Sequence, residues 1–338
     1  MKKPNLFRIA TKELSQDGFF TWFIQWAHDN CSTVDKELNA SAKDFVRLLL
    51  GEKFTDDQIR TVNARRQWND IDILVEVNDK YIIVIEDKTN TKEHSKQLER
   101  YKEIVTNHYK NKKLTLAFVY LKTGNESTST LAQVKEKGYS VIDREAILRN
   151  LNARSINNDI FNDFKDYLTE IENETNRFST LDNLKTWRAG EGFYSELQKR
   201  KSGVWTDWRY VANPKGGFLG FWYHWRRAAG IGDIYIQIEN AFELGLKLVI
   251  RIGSWNQNTN TLYSTLNGIK PFAEKNDLII TKPAKYKAGT TSTLAVVQNA
   301  FDSTENGLFD FDNFLSVLAR LEKTINSYCE SRKQLSEQ

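Results

Sequence analysis

The sequence predicts an α/β protein in two parts: a mixed β-sheet flanked by helices, then an α+β domain with an antiparallel sheet. Three observations carry this. Short apolar, β-branched runs at residues 71–77, 81–85 and 115–121 have the length and composition of strands. Around them lie stretches with apolar residues at helical spacing, such as Leu98, Tyr101, Val105 and Tyr109. At residues 172–182 the composition turns polar, ENETNRFSTLD, and tryptophan is concentrated beyond it, which divides the chain into domains at 1–175 and 176–338. A chain of 338 residues is long enough for two cores.

Taken from the start, Ser15 is placed to cap a buried helix bearing Phe19, Phe20, Trp22, Phe23, Ile24 and Trp26, with Glu13 just before it or in its first turn. Ser41, followed by Asp44, marks a short helix carrying Phe45, Leu48 and Leu49 that Gly51 ends. Ile59, Thr61, Asn63 and Arg65 alternate with Arg60, Val62, Ala64 and Arg66, so the second half of 55–68 reads as the first strand. The runs at 71–77 and 81–85, separated by Asn78-Asp79-Lys80, read as a β-hairpin. Thr89 to His94 is a polar loop, followed by the helix of Leu98 and Tyr101. TLAFVYL at 115–121 is a central buried strand, and residues 139–142 a shorter one. Asp143 caps the next helix, and 160–171 forms another.

The hairpin turn decides the chemistry. With a three-residue loop, Val77 faces Tyr81, Asp72 faces Glu86 and Asp70 faces Lys88, while Ile73, Val75, Ile83 and Ile85 take the other face. A two-residue loop would separate Asp72 from Glu86, so the odd loop is expected. It gathers carboxylates and a lysine on one rigid surface. Two like charges about 4 Å apart repel by roughly 4 kcal/mol at intermediate dielectric, so the cluster calls for a compensating cation. Mg²⁺ suits it, because that ion takes oxygen ligands, keeps several waters and uses one or two carboxylates together with substrate phosphate. Lys88 then positions the attacking water or neutralises charge on a phosphate; the plainer reading is a sheet-end salt bridge to Asp70 or Glu86.

Asp72, then Glu86-Asp87-Lys88 closing an apolar strand, then Gln97 and Tyr101 at QxxxY spacing on a helix, resembles the PD-(D/E)XK nuclease superfamily and its RecB-like and lambda-exonuclease-like branches. The opening TKELSQDGFFTWFIQWA is similar to the N-terminal helix of the bacterial PD-(D/E)XK family 4. The proline of the family's name is absent, with Ile71 in its place. The resemblance covers about the first half of the chain. It implies a restriction-endonuclease-like core and a Mg²⁺-dependent nuclease, with Mn²⁺ as a substitute and nucleic acid, DNA foremost, as substrate. Asp72 and Glu86 would hold metal, joined by the Asp87 carbonyl and by Glu13, while Lys88 organises water and Gln97 assists. Asp70 stands in a second tier. Lys92, Lys96 and Arg100 around Tyr101 would track phosphates, or form a solvated helix face. Tyr101 serves the core as well as any role in the site, and His94 is either a general base or an ordinary loop histidine. A role in bacterial defence or DNA processing rests on family analogy alone. The competing reading is a non-cleaving nucleic-acid- or protein-binding module, whose mark would be a missing acid or lysine; none is missing.

The second half expects strands at FLGFWYHWRR, near 234–239 and 246–252, and a final helix at 311–328. Its tryptophans, interleaved with Lys199, Arg200, Lys201, Arg209, Arg226 and Arg227, suit a core, a homodimer interface or base stacking. A net charge of +4 is compatible with nucleic acid without demonstrating it. Two cysteines, Cys31 and Cys329, form no CxxC pair, which argues against zinc and fits a reducing cytoplasm. No run approaches twenty apolar residues and the N-terminus lacks an apolar signal core, so neither export nor a membrane span is expected. P-loop, GxSxG and HExxH patterns are absent from the sequence.

Overall fold

The fold is described from a computed structural model, covering residues 3–90, 96–214, 216–253, 258–284, 286 and 288–336. The chain divides into two compact units, Met1–Glu126 with Thr130–Glu174, and Ser127–Ser129 with Thr175–Gln338.

In the first unit the elements run α1 (Leu6–Ile9), α2 (Glu13–Gln25), α3 (Lys36–Leu50), β1 (Val62–Trp68), β2 (Ile71–Val77), β3 (Tyr81–Lys88), α4 (Gln97–Tyr109), β4 (Thr115–Lys122), α5 (Thr128–Glu136), β5 (Ser140–Asp143), α6 (Arg144–Asn152) and α7 (Asp159–Thr175). The sheet has the order β1-β2-β3-β4-β5. Its β1–β2 and β2–β3 pairs are antiparallel, and β3–β4 and β4–β5 are parallel, so the sheet is mixed. Val77 pairs with Tyr81 across Asn78-Asp79-Lys80, the expected odd turn, and Asn78 and Asp79 supply the positive φ that it needs.

Alternation along β3 gives each sheet face its own core. Tyr81, Ile83 and Ile85 pack with Phe19, Phe20 and Phe23 of α2, Phe45 of α3 and Phe164 of α7. Ile82 and Val84 pack with Leu98, Tyr101 and Val105 of α4. The aromatic density of α2 explains its depth, since the Phe19 and Phe164 rings stack at 3.7 Å.

Two helix starts differ from expectation. Helix α2 begins at Glu13, with Lys12 as an N-cap that makes no side-chain bond, so Ser15 lies inside the helix. Helix α3 begins at Lys36, where the Asp35 side chain accepts the Leu38 N–H at 2.9 Å. Ser41 is a buried interior residue of that helix. Asp35 is simply the better-placed cap, and Leu38 and Ala42 extend the buried face back to it. Gly51 ends α3 at φ +56°, as expected. Asp143 caps α6 through the Ala146 N–H at 2.9 Å.

Beyond the parallel pair β3–β4 the chain crosses itself closely. A Cβ on Gly124 would stand 2.0 Å from the Thr89 carbonyl oxygen, so no side chain fits there without moving the backbone that follows β3. Gly124→Ala should therefore destabilise the protein by about 2–3 kcal/mol in urea unfolding. Wild-type stability for that variant would show the crossing to be wrong.

The second unit contains α8 (Trp187–Arg200), β6 (Thr206–Val211), β7 (Phe218–Ala228), β8 (Gly232–Asn240), β9 (Leu246–Gly253), α9 (Thr259–Glu274), β10 (Ile280–Thr281), β11 (Thr291–Val297) and α10 (Phe311–Ser336). Its antiparallel sheet has the order β10-β11-β9-β8-β7-β6, with one face packed on helices. A bulge between Tyr223 and Arg226 puts His224 at φ +61°, within 3.1 Å of Asn326 on α10, and turns Trp225 onto Tyr235 in a 4.8 Å stack. Trp208 is core, while Trp205 is 60% exposed. Lys201 and Arg226 bond Glu322 and Asn326 within the unit. Trp255 lies outside the described residues.

Candidate active site

Strand β3 is buried along its whole length, so its last residues bring charge to a place where charge is costly. Glu86 is 0% exposed, Asp87 1% and Lys88 7%. Alternation sends Glu86 and Lys88 to the face of Ile82 and Val84, toward α4, and Asp87 to the face of Ile83 and Ile85, toward α2. Extending the Ile73–Ile85 pairing by one step puts Asp72 opposite Glu86. The Asp87 backbone N–H donates to Asp72 Oδ2 at 2.9 Å. Lys88 Nζ is in ion-pair contact with Glu86 Oε1 and 4.0 Å from Asp72 Oδ2, so the ammonium lies between two carboxylates.

Burial dominates the electrostatics. It pushes the Glu86 carboxyl up to about 8, reinforced by the Asp72 charge and opposed by Lys88. Asp72 is also raised by burial, against the Asp87 N–H and Lys88. For Lys88 burial works downward, but Glu86, then Asp72 and Glu13, outweigh it and raise the ammonium.

Helix α2 supplies the other wall. Glu13 Oε1 accepts the Thr89 N–H at 2.9 Å, and its charge acts on both Asp72 and Lys88. One turn on, Gln16 Nε2 donates to Asp87 Oδ1 at 2.6 Å. Asp17 and Asp87 form a buried carboxyl pair: burial and then the Asp72 charge push Asp17 up to about 6 against its bond to Asp87, while burial and then Asp17 raise Asp87 well above the usual carboxylate range. The sequence reading passed over Gln16 and Asp17. No local pattern marks them, since Ser15, Thr21 and Gln25 are polar residues of the same helix. Lys122, 2% exposed, was missed too; it pairs with Lys88 across β3–β4 and lies 3.5 Å from Glu126.

Asp70 does not face Lys88. Trp68 pairs with Ile71, and Asn69 and Asp70 form a tight two-residue turn with φ +51° and +66°. Asn-Asp suits that turn, and it leaves the Asp70 side chain exposed. The Asp70 carbonyl instead accepts the Tyr101 hydroxyl, which in turn accepts Gln97 Nε2 at 2.7 Å. Gln97 and Tyr101 thus clamp the start of α4 to the turn before Asp72. Tyr101→Phe should lower stability by about 1–2 kcal/mol in urea unfolding. Wild-type stability in that variant would remove the hydroxyl from the clamp.

Lys96, with φ +59°, and Arg100 are exposed at the start of α4, and the Arg100 guanidinium lies 5.5 Å from the Tyr101 ring centre. Lys92 and His94 lie outside the described residues.

Among the described residues no group of three or more His, Cys, Asp or Glu is arranged to hold an ion. The donor set nevertheless fits a hard cation that uses two carboxylates. Both Glu86 oxygens are buried and, apart from the Lys88 ion pair, have no hydrogen-bond partner among the described residues. The Asp87 carboxylate is turned to Gln16, which leaves only its backbone carbonyl for such an ion.

A mixed sheet flanked by helices, with two acids and a lysine brought together on one of its hairpins, is the arrangement of a PD-(D/E)XK fold. Residues 4–187 match the family model of the PD-(D/E)XK nuclease superfamily, more than half of the chain, and the chain belongs to that superfamily. Neither a curated protein nor a solved structure matches it. Among the described residues no helix is long and apolar enough to cross a membrane.

Proposed function

We propose that this chain is a Mg²⁺-dependent nuclease that hydrolyses phosphodiester bonds of DNA, with Mn²⁺ able to substitute. One observation carries the reading: Asp72, Glu86 and Lys88 are held together at the end of a buried hairpin at a cost that no packing need explains. Asp72 and Glu86 would hold the ion, with the Asp87 carbonyl and Glu13 as further oxygen donors. When bound, the ion supplies Lewis-acid stabilisation of phosphoryl charge and a more acidic water.

The chain's own groups do the rest. The Lys88 ammonium donates from Nζ to the attacking water or to a phosphoryl oxygen gaining charge. Asp72 is kept in place by the Asp87 N–H, and Glu13 fixes the backbone after Lys88 through Thr89. Lys96 and Arg100 contact phosphates flanking the scissile bond, a sequence-independent term that weakens with salt. A place in defence or DNA processing fits this activity.

The test is incubation of wild-type protein with linear and closed-circular DNA and with RNA, in Mg²⁺, Mn²⁺ or EDTA. Metal-dependent cutting is expected, and loss of the circle would mark internal cleavage. Binding without cutting, unchanged by EDTA, would favour the non-cleaving module.

A further inference from the structure

We propose that Gln16 is a positioning residue of this site, setting the end of β3 from α2 and so the placement of Asp72, Glu86 and Lys88; the inference rests on the nuclease reading above. Gln16 is 5% exposed, and both ends of its amide are committed. Nε2 donates to Asp87 Oδ1 at 2.6 Å, and Oε1 accepts the Thr123 hydroxyl at 2.8 Å. The NH₂ thus meets a carboxyl oxygen that accepts it and the amide oxygen meets a hydroxyl that donates to it, so both ends of the side chain are tied down.

The consequence runs along the backbone. Asp87 is held through its side chain by Gln16, and its N–H donates to Asp72. The Lys88 carbonyl accepts the Thr123 N–H at 3.1 Å, and the Thr89 N–H is taken by Glu13. Thr123 is itself anchored, since its carbonyl accepts Arg144 Nη1 at 2.7 Å. Residues 87–89 are therefore fixed at three successive points, two of them from one turn of α2. Glu86 and Lys88 flank the point that Gln16 holds, and the Asp72 carboxylate hangs from the same residue's amide. A shift of about 1 Å at reacting groups can cost on the order of 10²-fold in rate, so a group that touches neither ion nor substrate can still govern turnover.

The experiment compares wild type, Lys88→Ala, Gln16→Met, Thr123→Val and Thr123→Ser. Gln16→Met keeps the length of the side chain and removes both bonds. The readouts are kcat and KM for DNA cleavage, Mn²⁺ binding by calorimetry without nucleic acid, and thermal melting. Expected for Gln16→Met are a kcat lower by about tenfold or more, a KM within about threefold, and Mn²⁺ binding weakened several-fold. Thr123→Val should move the same quantities in the same direction, and Thr123→Ser should restore them. Unchanged kcat and Mn²⁺ affinity in Gln16→Met, or deficits that merely follow lowered melting, would overturn the inference. Should Gln16→Met fail to fold, the Thr123 pair decides: Val and Ser behaving alike would overturn it. A wild type that does not cut, or a Lys88→Ala protein that cuts as wild type does, would remove the nuclease reading instead; Mn²⁺ binding in the Gln16 and Thr123 variants then still decides the positioning.

Discussion

Lys88→Ala should abolish cleavage, with an expected rate at least about 10²-fold below wild type, because the loss of one preorganised donor to developing phosphoryl charge has that size. The variant should nevertheless fold. Removing one partner of a buried ion pair commonly costs about 3–5 kcal/mol, because a charge is left unpaired. Here burial already raises the Glu86 carboxyl to about 8, and the loss of Lys88, which opposes that rise, raises it further, so Glu86 is left as a neutral acid rather than an unpaired charge. A melting curve beside the cleavage assay separates the two effects. Lys88→Arg should not rescue, since a planar guanidinium does not fit a side chain that is 7% exposed. Cleavage by Lys88→Ala within tenfold of wild type would remove Lys88 from the chemistry.

Glu86→Gln should lose cleavage and gain stability. In metal-free protein the folded-state carboxyl sits at about 8, well above its range of about 4.3 in the unfolded chain. A raised folded value means that the folded state binds the extra proton between those limits. The stability it contributes is complete at low pH and is lost as pH rises toward 8. By neutral pH that loss is on the order of 2–4 kcal/mol, and an amide of the same shape avoids it while Asp72, 4.0 Å from Lys88 Nζ, remains to pair the ammonium. In EDTA at pH 7, Glu86→Gln should therefore unfold at higher urea than wild type, and its stability should vary less between pH 5 and about 8. Stability equal to or below wild type across that range would show that Glu86 is not held at a cost.

The hairpin was legible because period-two alternation leaves few registers. Once Asn78-Asp79-Lys80 is taken as an odd turn, Val77 must face Tyr81, and Asp72 is brought to Glu86. The stripe of α4 was legible for the same reason, and Leu98, Tyr101, Val105 and Tyr109 are all buried. Asp70 was misplaced because one residue of strand and one residue of turn look alike in composition; the Asn69-Asp70 pair was the cue. The first helices began earlier than Ser15 and Ser41 suggested, because capping depends on which side chain reaches an N–H, and several polar residues compete. Gln16 and Asp17 were hidden for a different reason. Their partner Asp87 lies 71 residues from Gln16, and such long-range pairing leaves no local pattern. In the second unit, the two-residue strand β10 is too short to show alternation.

The most direct test of the account is Mg²⁺-dependent cutting of closed-circular DNA by wild type and Asp72→Asn, side by side at equal folded concentration. Asp72→Asn keeps the shape and removes the charge opposite Glu86. The account predicts nicked or linear product from wild type, none above background from the variant, and none from either in EDTA. Equal rates from the two proteins would contradict it, and would move the chemistry away from this hairpin.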